Sequence, residues 1–361
     1  MERDGAFALL PPDHVLVARQ GALWARRFNP RDTAPSGEYM LVAQKVLVDH
    51  TFTGHGAFAA SPAGTIVYRA SAGNRQLVWF DRTGARLGTV GEANDGQQVL
   101  QHFSHDGRSA AVIRYIDANS DVWLIDITRG TSQRFTSDPG FDGGPVFSHD
   151  GRSIVYVMDA KDDVFQMVRK KADGTGTAEL VYESKENKNP TDWSADGEYV
   201  LFRNQAGDTG WDLLALPLSG NRQPIDVGRT PFTEGEGRFS PDGKWVAFAT
   251  NESGRSEIYV QRFPSAGGRQ MISIGGGEFP RWRRDGRELY YLTPGSNRLM
   301  TASVSTTGAR LEVAAPRYLF TLPNGRPSYE PSTNGDRFLV NVVVSSPSPI
   351  SVILNWKPPG R

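Results

Sequence analysis

The chain has 361 residues, enough for two ordinary domains or one large all-β domain, and its 38% hydrophobic content supports a real core. Forty basic residues balance forty acidic ones, so no global field draws in nucleic acid or anionic lipid. Cysteine is absent, which excludes disulfides, thiolate metal ligands and a cysteine nucleophile.

In chain order, residues 1–34 read as three strands (GAFALL, HVLVARQ, ALWARRF) around a degraded turn at Pro11–Asp13. The segment Glu38–Val46, EYMLVAQKV, reads as an outer strand without a blade of its own. From there a turn motif recurs. FSHDGRS stands at Phe103–Ser109 and Phe147–Ser153, WSADGEY at Trp193–Tyr199, FSPDGKW at Phe239–Trp245 and WRRDGRE at Trp282–Glu288. Weaker copies are ASPAGTI at Ala60–Ile66 and PSTNGDR at Pro331–Arg337. The turn glycines, from Gly64 to Gly335, are spaced 43, 44, 46, 46, 43 and 49 residues apart. That period matches four-stranded propeller blades and exceeds ankyrin or leucine-rich units.

Each copy is followed by strands rich in Val, Ile, Tyr, Phe and Trp, such as SIVYVMD, DVWLIDI and TSQRFTS, bounded by turn residues. The aromatics before the turns, Phe103, Phe147, Trp193, Phe239 and Trp282, are expected to wedge between blades. The last unit supplies three strands, so pairing with Glu38–Val46 is expected to close the ring and protect its edge. The expectation is an all-β propeller of seven four-stranded antiparallel blades over residues 38–357, with eight blades as the alternative. Residues 1–34 are then an extra three-strand unit, either the remnant of an upstream propeller or a further blade.

At the (F/W)S(P/A/H)DG motifs the chain resembles the TolB-type, WD40-like propeller repeats. The strings Thr230–Gln270, Gly275–Leu292, Arg75–Glu92 and Glu186–Phe202 resemble the C-terminal propeller region of bacterial eukaryotic-like serine/threonine kinases of the acidobacterial type. The resemblance implies a sensory or protein-binding role. It also implies a preceding kinase domain and membrane span, yet no glycine-rich phosphate loop, VAIK-like lysine, HRD-like loop or DFG occurs here. An inherited kinase activity would thus refer to an absent domain.

No G-x-S-x-G elbow is present; Gly254-Arg255-Ser256-Glu257-Ile258 fails at the second glycine. His105 and His149 share a turn slot that holds Ala195 and Pro241 in other copies, which reads as a surface position. One constellation remains. Two residues before the pre-turn serine stand Ala59, His102, Val146, Asp192, Arg238, Arg281 and Glu330. Unpaired charge is costly to bury, so His102, Asp192, Arg238, Arg281 and Glu330 are expected to line a solvated central channel, either as an ion-paired, water-filled lining without a ligand or as a binding site for a polar small molecule or peptide terminus. His55, Asp142, Glu234, Glu236 and Glu278 are expected at its mouth, with Phe232 and Trp211 as exposed candidates on the same face, Trp211 reading equally as a blade core residue.

The expected function is a non-enzymatic binding, scaffold or sensor module for a protein or peptide. The alternatives are a propeller enzyme of the lyase, lactonase or cyclase kind and a TolB-like periplasmic scaffold. No catalytic residue, metal site or cofactor is expected, nor a nucleic-acid partner, membrane insertion or oligomer. No basic start followed by an apolar run marks a signal peptide. The location is therefore open: cytoplasmic for a complete chain, extracytoplasmic for the end of a membrane-anchored kinase.

Overall fold

The computed structural model describes residues 6–358 except 20, 30, 32–33, 49–55, 95–96, 117–118, 160–163, 206–209, 266, 308–309 and 324–327. All regular elements among the described residues are β-strands, and no helix is long and apolar enough to cross a membrane.

Numbered along the chain, β1 (Phe7–Leu10), β2 (His14–Arg19), β3 (Ala22–Arg27) and β4 (Ser36–Ala43) form one sheet in that order. This corrects the expected closure: β4 is the strand assigned to the ring's far end, yet it pairs with Leu23, Trp24, Ala25 and Arg27 of β3. The nearer edge captures it, as short connections favour sequential pairing. The three strands expected within residues 1–34 are thus β1, β2 and β3 of a four-stranded sheet. Next, β5 (Phe58–Ala60) and β6 (Ile66–Arg69) take β32 (Ile350–Ile353), from the far end of the chain, as their third strand. These two sheets share a core of Leu16, Leu23, Val46 and Ile66, flanked by Ile353 and Trp356.

The chain then enters a ring. β7 (Arg75–Asp81) and β8 (Arg86–Asn94) complete a sheet begun by β30 (Tyr329–Pro331) and β31 (Arg337–Val343); this is blade 1. Blade 2 holds β9 (Gln97–Phe103), β10 (Ser109–Ile116), β11 (Asn119–Asp126) and β12 (Ser132–Arg134). Blade 3 holds β13 (Asp142–Phe147), β14 (Ser153–Asp159), β15 (Phe165–Lys171) and β16 (Glu179–Tyr182). Blade 4 holds β17 (Asn187–Trp193), β18 (Tyr199–Gln205), β19 (Trp211–Pro217) and β20 (Ile225–Gly228). Blade 5 holds β21 (Glu234–Phe239), β22 (Trp245–Thr250), β23 (Glu257–Arg262) and β24 (Gln270–Met271). In blade 6, β25 (Glu278–Trp282), β26 (Glu288–Leu292) and the long β27 (Arg298–Thr307) carry β28 (Arg310–Val313) and β29 (Arg317–Thr321) on successive halves of β27.

Each blade shares a separate apolar core with the next, and the sixth returns to the first through Tyr290, Leu299 and Phe320 against Val78, Phe80 and Phe338. The described sheets therefore close a cycle of six, where seven blades were expected. The difference is the Gly64 unit, whose sheet packs on the N-terminal sheet instead. Phe103, Phe147, Trp193, Phe239 and Trp282 all lie in these seams. Burial of such side chains contributes about 1.5–3 kcal/mol each.

The repeated turn has a local cause. In blade 2 the Ser104 hydroxyl donates to Asp106 Oδ1 (2.6 Å), accepts the Ser109 N–H (2.9 Å), and Gly107 takes φ of +70°. The same serine–aspartate bond recurs at Ser148–Asp150, Ser194–Asp196 and Ser240–Asp242. Side-chain acceptors of this kind replace backbone partners in tight turns, and glycine supplies the left-handed residue.

Candidate functional site

The first strand of every blade faces the axis, and each contributes one residue at the same register. His102 pairs with Ala111, Val146 with Val155, Asp192 with Leu201, Arg238 with Ala247, Arg281 with Tyr290 and Glu330 with Leu339. Bulges precede this position on β13, β17, β21 and β25. At three of them a residue adopts positive φ: Gly144 (+58°), Glu236 (+55°) and Phe279 (+56°). A bulge re-aims the side chains that follow it, and for Glu236 and Phe279 the conformation costs about 1–3 kcal/mol.

The five ionisable residues predicted from this position do meet, and their contacts cross the ring. His102 of blade 2 lies 3.2 Å from Asp192 of blade 4, and Arg238 of blade 5 lies 3.7 Å from Glu330 of blade 1. Arg238 also donates to the Gln101 carbonyl on the opposite blade (3.2 Å) and sits 3.8 Å from Asp192. Arg281 Nε donates to Glu330 Oε1 at 2.6 Å. Backbone amides complete the set: the Phe239 N–H donates to Asp192 Oδ2 (2.7 Å) and the Phe147 N–H to His102 Nδ1 (3.4 Å). With Nδ1 accepting, the neutral imidazole carries its proton on Nε2, facing Asp192.

The expected solvated lining is corrected on this point. Arg238, Arg281 and Glu330 are buried and His102 and Asp192 nearly so, because the blades converge closely enough for long side chains to pair across the axis. Burial alone would raise the Asp192 carboxyl, but the His102 hydrogen bond and Arg238 guanidinium outweigh it and hold it below its usual range. Burial and the neighbouring Arg281 lower Arg238, whereas Arg281, with Glu330 beside it, rises in spite of burial.

The mouth residues divide. Glu236 pairs with Arg203 at 3.4 Å and lies within Coulombic range of Arg238 and Arg281, so it belongs to the axial network. Asp142 and Glu234 are buried in blade seams rather than at the mouth. Asp142 lies beside Asp121, Asp138 and Asp159 with Thr136 as donor; Glu234 accepts from Thr230 Oγ1 (2.5 Å) and Thr250 Oγ1 (3.2 Å) and abuts Gly228. Burial raises both carboxyls, Asp142 to about 7. Glu278 is half-buried at the start of β25. His55 lies outside the described residues. Ala59 lies on β5, away from the ring. Trp211 is half-buried under Arg203, and Phe232 is exposed.

Sequence reasoning missed Lys188. It is buried on β17, donates to the Phe165 (2.6 Å) and Ser184 (3.2 Å) carbonyls, and its ammonium pKa is lowered by burial. Its position, five residues before Trp193, is that of Asp142 before Phe147 and Glu234 before Phe239. That periodicity was the available signal. Elsewhere, two cavities of about 880 and 820 Å³ flank the β27–β28 hairpin and share Trp245 and Leu311, at the rim of blades 5 and 6 rather than on the axis.

No family model matches the chain. It is similar to the Tol-Pal system protein TolB of Wolinella succinogenes, 26% identical over 174 residues that cover 47% of this chain and 40% of that protein. The Helicobacter pylori TolB is 25% identical over 160 residues, covering 43% and 37%. An uncharacterised peptidase of Bacillus subtilis, YuxL, is 23% identical over 189 residues, covering 41% and 29%. The chain thus matches about two fifths or less of the length of these curated relatives. Among solved structures, a TolB of Acinetobacter baumannii superposes with a TM-score of 0.53 at 14% identity, covering 96% of this chain and 81% of that one. A provisional TolB of Agrobacterium tumefaciens gives 0.58 at 14% identity, covering 77% and 100%. By its repeats and its cycle of blades the chain is an all-β propeller, and its fold is similar to that of TolB.

Proposed function

We propose that this propeller is a non-enzymatic docking module whose partner is a protein or peptide lying over the loop-side face of the ring. The observation that carries the reading is the mutual engagement of the axial groups. Each guanidinium faces a carboxylate, and His102 is held by Asp192 and the Phe147 amide. Catalysis wants a base or nucleophile within reach of a substrate atom, beside a cleft that admits the substrate. A paired plug on the axis instead gives a rigid, charge-patterned floor under loops that remain free to contact a partner.

Two exposed apolar side chains stand on those loops. Phe232 (42% exposed) precedes β21, and Ile274 (74% exposed) precedes β25. Apolar side chains of this kind, above a polar rim, are the usual anchors of a protein interface. The names of the curated relatives place those proteins in the Tol-Pal system, which supports a scaffold reading. The tie to a kinase architecture and a sensory role rests on the sequence strings alone.

The test begins with affinity capture from the source cells, followed by a titration of the purified partner. Phe232→Asp with Ile274→Asp is expected to weaken binding at least about tenfold, the loss of about 1.4 kcal/mol or more that truncating an anchor brings. Unchanged affinity in that double variant, with a native thermal transition, overturns the loop-side assignment. Turnover of a small substrate that is lost on Asp192→Asn would favour the enzyme reading.

A further inference from the structure

The two sheets outside the ring are built like neighbouring blades. β1 to β4 run in blade order from first to fourth strand, and β5, β6 and β32 supply a first, second and third. The β5–β6 hairpin repeats the blade turn: the Ser61 N–H donates to the Thr65 carbonyl (2.9 Å), the Gly64 N–H to the Ser61 carbonyl (3.0 Å), and Gly64 takes φ of +77°. β1 lies beside β5, as β9 lies beside β13 and β13 beside β17 in the ring. Every sheet of the ring is packed on both faces. These two fill only the faces they turn toward each other, around Leu16, Leu23 and Ile66.

Two outer faces are left bare, and both are apolar. Side chains alternate along a strand, so the residues between those of the shared core point away from it. On the β1–β4 sheet they form the cross-strand row Phe7–Val17–Trp24–Leu41, here called the leading face. On the other sheet they form the row Val352–Val67–Ala59, flanked by Ile350 and Leu354, here called the trailing face. Fourteen large apolar side chains are exposed among the described residues, and six lie on or next to these sheets: Phe7, Leu9, Leu41, Ile350, Val352 and Leu354. The sheets hold only seven of the thirty-two strands, so the exposure is concentrated here, and apolar patches of that kind mark surfaces that another body covers.

We propose that the covering body is a second copy of this chain: the leading face of one copy packs on the trailing face of the next, and three copies close a six-bladed ring of two blades each. This inference does not rest on the docking role, which concerns the loop-side face of the main ring. The two faces are the halves of one blade seam, because the sheet bearing the trailing face follows the sheet bearing the leading face in blade order. Every chain carries both halves, so another copy brings the matching surface in the matching sense. Contact between two different faces is head-to-tail and generates a ring wherever the rotation closes. Sheets of this repeat close at six in this same chain, and two blades are a third of that cycle. Neither row holds a charge, so the seam strands none. The flanking rows hold one arginine each, Arg69 beside Ile350 and Arg26 beside Val15; Arg26 is already stacked on Tyr39 and donates to the Gly37 carbonyl (3.0 Å).

Sedimentation equilibrium of the full chain over a wide range of concentration tests the assembly. The expected species has three times the mass of one chain. Phe7→Asp spoils the leading face and Val352→Asp the trailing face; both side chains are exposed in the single chain, so the fold survives, which the circular dichroism spectrum checks. Each variant alone should sediment as one chain. Mixed, they should form a species of two chains, because the first keeps its trailing face and the second its leading face. Leu87→Asp, equally exposed on blade 1, should assemble as the wild type does. A wild type of one or two chains at every concentration overturns the proposal, including one that stays single and takes a different protein on these faces. So does a trimer that survives either face variant, or a mixture of the two variants that does not pair.

Discussion

Asp142 is 2% exposed in the seam between blades 2 and 3, and its Oδ2 has no hydrogen-bond partner among the described residues. Burial, reinforced by Asp138, Asp121 and Asp159 against a helpful bond from Thr136, raises its pKa from 3.8 to about 7. Between those values the folded chain keeps a proton that the unfolded chain releases. Stability therefore falls as pH rises across that window and is lowest above it. At about 1.4 kcal/mol per pH unit the full effect is of order 4 kcal/mol. Asp142→Asn keeps the shape, carries no charge and brings an N–H donor toward Asp121. The variant should match the wild type near pH 4 and exceed it progressively up to pH 8, by several degrees in Tm. Paired thermal or urea melts from pH 4 to 8 read the difference directly, and other titrating groups cancel in the comparison. A wild type that gains on the variant as pH rises would show that the seam solvates Asp142 and that the burial argument is wrong.

Three further outcomes follow from the same geometry. Gly197→Ala should destabilise the chain by about 1–2 kcal/mol in denaturant melts, because φ is +78° and no atom lies within 4 Å of the added methyl, leaving backbone strain as the whole effect. Arg82→Ala should cost about 1–3 kcal/mol by leaving buried Glu288 short of a partner, since Arg82 bonds both Glu288 oxygens (2.8 and 3.0 Å) and the Gly335 carbonyl (2.9 Å); a double-mutant cycle with Glu288→Gln isolates the pair. Ending the chain at Pro349 removes β32 together with Trp356, both packed on the N-terminal sheets, so hydrogen exchange should rise around Ile66 and Leu16 and stay unchanged in the blade cores; faster exchange in β31 and β7 would show that the ring depends on the N-terminal sheets.

Much of the blade was legible because its signals are local. The Ser-x-Asp-Gly turn fixes the hairpin, and the aromatic before it alternates with a polar residue, so one seam position and one axial position follow from each copy. His102, Asp192, Arg238, Arg281 and Glu330 were found this way. Their protonation and solvation were not, because a period says which way a side chain points and not what stands opposite. Only closure at six brings Gln101 across from Arg238 and Glu330 to within reach of both arginines.

Strand partnership at the seam between the two sheet groups was the hardest part, since β7 follows β6 in the chain and either β6 or β31 has the composition of its neighbour. Length decides it. The seven residues of β7, with Leu77, Val78, Trp79 and Phe80 all buried, find seven partners on β31 from Arg337 to Val343, whereas four-residue β6 matches four-residue β32. Pairing β7 with β6 would have left three ladder positions of β7 and most of β31 without hydrogen bonds, and unpaired backbone groups in an apolar seam cost more than the closure of a long loop, which grows only logarithmically with length. The exchange of strands between the two ends of the chain is thus the arrangement that leaves the fewest backbone groups unsatisfied, and the axial site owes its sixth member, Glu330, to it.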